Sequence, residues 1–129
     1  MAIPNATWIW NAYLVDEPDE DEKQRFVRSF HLPSNVTVLQ AQVRMSADNG
    51  FKLKVNNKTI ADYKDVETNY FHVFEFDVTS KLKNVKNTFR WDVENFEQPG
   101  GTAYSNPAGL IFEITVTYEL PVTNGCCPE

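Results

Sequence analysis

An all-β fold, an antiparallel β-sandwich or jelly roll, is what this sequence predicts, and three observations point to it. Almost every periodic stretch alternates apolar and polar residues with period two, the pattern of a strand with one buried face. Turn-forming clusters of Pro, Gly, Asn, Asp and Ser separate these stretches at short intervals. No window carries the i, i+3, i+4, i+7 apolar stripe of an amphipathic helix. At 129 residues, 42% hydrophobic and 13% aromatic, the chain can fill one core. Residues 1–129 are read as one domain, with its core over about 6–120 and a loose tail at 121–129.

The elements follow in order. Residues 7–14 open the chain as a short strand, with Trp8 and Trp10 on one face, where sandwich core is preferred over a stacking platform. Residues 16–23 carry Asp16, Glu17, Asp19, Glu20, Asp21 and Glu22 and read as a solvated loop. A second strand covers 25–32 and ends at Pro33-Ser34-Asn35. Leu39, Ala41, Val43 and Met45 then alternate with Gln40, Gln42 and Arg44 up to the turn Asp48-Asn49-Gly50. Phe51, Leu53 and Val55 alternate with Lys52 and Lys54, and Asn56-Asn57-Lys58 breaks the run. Residues 70–78 form another short strand, followed by at most one helical turn at 79–82. Phe89, Trp91 and Val93 form the next buried face, and 95–108 is a loop long enough to be suspected of function. The longest alternation closes the fold: Leu110, Phe112, Ile114, Val116, Tyr118 and Leu120.

Composition excludes several function classes. The net charge of −6 argues against nucleic-acid binding, and the excess is local, because the acids of 16–22 supply six of the 18 carboxylates. No apolar run reaches the ~18–20 residues of a membrane span. The first residues lack the basic and apolar regions of a secretory leader, so the chain is expected to be cytoplasmic or exported by a leaderless route. Three N-x-[ST] sequons begin at Asn5, Asn35 and Asn57, a pattern that chance produces readily. Cys126 and Cys127, adjacent near the end, cannot staple a core and do not match zinc spacing. No nucleophile, phosphate-loop or zinc-protease motif occurs, and His31 and His72 read as structural, His72 pointing inward with Phe74 and Phe76. No carboxylate pair is singled out for glycoside hydrolysis, and an enzyme is not expected.

Asp48 and Asn49 offer hard oxygens at a turn, the ligand type of Ca²⁺, although the plainer role of an Asx pair before Gly is to cap that turn. Asn95 and backbone carbonyls of 96–102 could add further oxygens. Asp92 and Glu94 could serve instead, but alternation makes them outward-facing strand residues.

Across residues 6–120 the order of motifs resembles a galactose-binding-domain-like β-sandwich. It is similar to the sugar-binding modules of α-L-rhamnosidases and to calcium-dependent fungal lectins of that fold. The matching residues are Ala6-Thr7-Trp8-Ile9-Trp10, Arg25-Phe26-Val27-Arg28-Ser29-Phe30, the hairpin from Ser46 to Asn56, Phe76-Asp77-Val78-Thr79 with Leu82 and Asn87, and Asn106-Pro107-Ala108-Gly109-Leu110-Ile111-Phe112. One departure is Asn57, where a Gly usually follows the Asn of the turn; Asn tolerates the left-handed backbone that such a turn needs.

The resemblance implies a calcium ion held by Asp48, Asn49, Asn95 and carbonyls of the late loop, Gly100 among them. Vicinal sugar hydroxyls would complete the coordination. It also implies an aromatic wall for the C–H face of the sugar. Tyr70 or Phe71 is the first choice for that wall and Tyr104 the second, with Tyr63 and Phe96 as further candidates. The expected function is therefore calcium-dependent carbohydrate binding without catalysis, toward galactose-type or rhamnose-type glycans, and not toward nucleic acid or the membrane interior. The rival is a structural or adhesion sandwich that binds protein and has no sugar site. A lectin with one weak site gains from multivalency, so a homo-oligomer is expected.

Overall fold

The computed structural model describes residues 22–66, 69, 72–95 and 109–121. Seven strands lie in this part: β1 Glu22–His31, β2 Thr37–Asp48, β3 Gly50–Val55, β4 Lys58–Tyr63, β5 Phe74–Asp77, β6 Lys86–Asn95 and β7 Gly109–Glu119. They form two antiparallel sheets, one ordered β1-β6-β3-β4 and the other β5-β2-β7. The predicted sandwich is therefore the observed one. A single 3-10 turn, Thr79–Lys81, stands where the sequence allows one helical turn. No helix among the described residues is long and apolar enough to cross a membrane.

The core lies between the sheets and is built by the alternating residues. Ala41, Val43 and Met45 of β2 face Phe51, Leu53 and Val55 of β3 and Phe89, Trp91 and Val93 of β6, all fully or almost fully buried. Trp91 is central. Its ring stacks on Phe112 of the opposite sheet at 4.2 Å between centroids, and its indole N–H meets the Met45 Sδ at 3.3 Å. A buried indole needs such a partner for its polar end.

The β3–β4 hairpin closes through Asn56 (φ 50°) and Asn57 (φ 67°), both left-handed. Two consecutive left-handed residues define the turn that matches the twist of an antiparallel pair. Asn57 thus does the work of the missing Gly.

Several expectations are corrected. β1 begins at Glu22, so Glu22 and Lys23 belong to a strand and not to the acidic loop. Cross-strand charge makes this tolerable: Lys23 lies 4.0 Å from Glu94, and Arg25 bonds Asp92 at 2.7 Å. β4 went unrecognised because its alternation is broken. It is an edge strand with a register shift opposite Leu53 and Lys54, and only Ile60 and Ala61 turn inward. Leu39 is exposed and not core, because a bulge between Val38 and Gln40 shifts the register there. Tyr118 and Leu120 are exposed because β7 runs past the core. Within 70–78 only Phe74–Asp77 is strand, and His72, ahead of it, is exposed instead of pointing inward. Asn95 ends β6 and does not open a loop. The predicted strand at 7–14 with Trp8 and Trp10, the acids 16–21, the loop 96–108, and the tail with Cys126 and Cys127 lie outside the described residues.

Candidate functional site

β2 and β3 belong to different sheets, yet Asn49 alone separates them in sequence. The Asp48-Asn49-Gly50 turn therefore crosses the end of the sandwich, from β2 opposite Gly109 to β3 opposite Glu94. Its Asp48–Asn49 peptide is cis. Gly50 is required by a close approach: a Cβ there would fall 2.1 Å from the Lys64 carbonyl oxygen.

Hydrogen bonds to β6 and to Asn69 fasten this turn. The Asn49 N–H donates to the Glu94 carbonyl at 2.9 Å, which sets the turn beside the last residues of β6. The Asn49 carbonyl accepts from the Asn69 side-chain amide, also at 2.9 Å. The sandwich thus brings the turn at Asp48 and Asn49 to the strand end at Asn95, although some 46 residues of chain separate them.

The electrostatics of this pole are unusual. Asp48 and Asn49 are each 7% exposed and Asn95 is completely buried. Burial pushes the Asp48 carboxyl up from its ordinary 3.8 to about 7. Neither side-chain atom of Asn95, Oδ1 or Nδ2, has a hydrogen-bond partner among the described residues. An unsatisfied buried amide costs on the order of 1–3 kcal/mol, so such a group calls for an explanation.

These residues fit a hard cation. One carboxylate and two amide oxygens are the donor types Ca²⁺ prefers, and a cation would relieve both the desolvated Asp48 and the orphaned Asn95 oxygen. Calcium takes about 6–8 oxygens, so three side chains need help from carbonyls, water or ligand hydroxyls. No group of three His, Cys, Asp or Glu able to hold a metal occurs among the described residues, so this donor set is one carboxylate with amides.

The alternative donors are committed elsewhere. Asp92 bonds Arg25 and also lies 3.6 Å from Arg90, and Glu94 lies beside Lys23, as outward strand residues should. Gly100, Tyr70, Phe71, Tyr104 and Phe96 lie outside the described residues. Of the aromatic candidates, Tyr63 is described. It is 38% exposed, stacks on Phe74 at 5.4 Å, and its carbonyl accepts from the same Asn69 amide that holds Asn49. Asn69 itself was not foreseen. Nothing in a lone Asn at that position signals it; only the fold reveals its partners.

The fold is a two-sheet antiparallel β-sandwich similar to a module of α-L-rhamnosidases. The comparisons agree. Over 86% of its length the chain superposes on the α-L-rhamnosidase of Streptomyces avermitilis, solved in complex with L-rhamnose, with TM-score 0.65 and 20% identity. It superposes over 89% on that of Dictyoglumus thermophilum (TM-score 0.64, 16% identity) and over 86% on a GH78-family rhamnosidase of Bacillus sp. GL1 (0.63, 26%). The chain spans only 11%, 15% and 12% of those three enzyme chains, so the likeness is to one module of each. No protein-family model matches the sequence, and no curated protein matches it.

Proposed function

We propose that this domain is a non-catalytic carbohydrate-binding module that takes a rhamnose-type or galactose-type sugar through a calcium ion. One observation carries the reading. The buried Asn95 amide, without a hydrogen-bond partner among the described residues, ends β6 where the Asp48–Asn49 turn is bonded to the preceding residue, and Asp48 there is strongly desolvated. A desolvated carboxylate and a buried amide with no partner among the described residues are costly features for a purely structural sandwich. They make sense as ligands for a cation.

Asp48, Asn49 and Asn95 would hold the ion, and when bound it supplies a charged centre that vicinal hydroxyls can coordinate in place of water. The chain's own part is to fix those oxygens and to keep bulk water from the Asp48 carboxylate. The resemblance to a module of rhamnose-hydrolysing enzymes favours a deoxy-hexose or a related glycan as the partner. The proposal is one of binding and not of catalysis, because its described donors are the Asp48 carboxylate and the Asn49 and Asn95 amides.

A melting curve in calcium and in EDTA tests the ion. A ligand that binds only the native state adds RT ln(1 + [L]/Kd), about 2.7 kcal/mol at a hundredfold excess. A higher Tm in calcium, followed by sugar-specific signals on a glycan array that vanish in EDTA, supports the module. Equal melting curves would sink the calcium reading. A calcium response with a blank array would favour the structural or adhesion sandwich.

A further inference from the structure

We propose that Asn69 is a positioning residue for the donor pole: it locks the Asp48–Asn49 turn to the end of β4 and thereby sets calcium affinity. The proposal rests on the calcium reading above. Asn69 is 1% exposed, and its Nδ2 donates two bonds, to the Asn49 carbonyl at 2.9 Å and to the Tyr63 carbonyl at 3.0 Å. A primary amide has two N–H donors, so both are spent on backbone from different strand ends. The Asn69 carbonyl in turn accepts the Ser46 hydroxyl at 3.3 Å and the His72 N–H at 3.0 Å. One residue therefore ties together β2, the β2–β3 turn, the end of β4 and the approach to β5.

The bond to Asn49 separates a positioning role from mere stability. Asn49 is fixed from two sides, by Glu94 through its N–H and by Asn69 through its carbonyl. With the second tie removed, the turn keeps its β6 anchor but loses one of the contacts that fix its orientation about that anchor. The bond reaches the Asn49 main chain and not its side-chain oxygen, so it acts by orienting the ligating residue; cutting partners that orient metal ligands typically costs about 10–100-fold in affinity. The same amide also fixes Tyr63, whose half-exposed ring packs against Phe74 and Phe51. The donor turn and this aromatic edge are thus held at a constant separation by one side chain.

The test is calcium titration calorimetry on the full chain, well below Tm, for wild type, Asn69→Ala and Asn87→Ala. Asn87 is the control: it is equally buried and bonds Asn56 and the Lys83 backbone, but it sits at the opposite end of β6. Both substitutions should lower Tm in EDTA. Only Asn69→Ala should weaken calcium binding, by roughly tenfold or more, with Asn87→Ala unchanged. Should Asn69→Ala fail to fold, Ser46→Ala loosens the same clamp more gently and should weaken binding a few-fold. Unchanged affinity in the folded Asn69 or Ser46 variant, or equal loss in Asn87→Ala, overturns the role. A wild type that binds no calcium defeats the calcium reading itself and this proposal with it, an outcome distinct from wild-type binding that Asn69 does not influence.

Discussion

The Asp48 carboxylate carries the sharpest consequence at the scale of single residues. Its folded pKa, about 7, lies above the ordinary 3.8, so the folded state holds its proton over a range where the unfolded chain has released it. The associated stability is present below pH ~4 and is lost as pH rises toward ~7. In EDTA, Tm should therefore fall across that interval, and Asp48→Asn, which cannot ionise, should flatten the fall and melt higher than wild type at pH 8. In calcium the order reverses, because the variant lacks the anionic ligand. Asp48→Ala should abolish the calcium-dependent rise in Tm and sugar binding together; normal sugar binding by that variant in EDTA would refute the site. Gly50→Ala forces a Cβ against the Lys64 backbone carbonyl. It should destabilise the domain by roughly 1–3 kcal/mol, measurable by urea unfolding. Asp48 and Asn49 were legible in the sequence because an Asx pair before Gly is visible as text. Asn69 was not, since its importance lies in two carbonyls that the text places elsewhere.

Strands were legible wherever one face is buried along their whole length. β3 and β6 show unbroken alternation because each has a neighbour on both sides and the core beneath it. β4 escaped because an edge strand has only one partner to satisfy, and its bulge puts Ile60 and Ala61 next to each other facing inward. β1 starts earlier than its charged residues suggest, because paired charges sit comfortably on the solvent face of a strand. β6 also carries the element most exposed to test. Trp91→Ala removes the ring that stacks on Phe112 and touches Met45, and it should cost roughly 3–5 kcal/mol in chemical denaturation. The calcium-dependent increment should survive in that variant under conditions where it folds, since Trp91 lies in the middle of β6 and not at its Asn95 end.

The described residues form a sandwich whose two sheets meet at the pole proposed to bind calcium, because the chain changes sheet at the turn that carries Asp48 and Asn49. Oligomerisation belongs to this scale. If weak single sites are used multivalently, light scattering should show an assembly; a monomer would remove that expectation and leave the donor pole intact. The amino-acid order by itself determined the fold class, the identity of most core residues and the left-handed Asn57 turn, since each depends on neighbours within a few positions. It also nominated Asp48, Asn49 and Asn95. Only the tertiary structure decided that Asn95 is buried without a partner among the described residues, that Glu94 grips the turn and that Asn69 clamps it. Those facts arise from groups distant along the chain sharing one desolvated space, and local periodicity carries no record of such meetings.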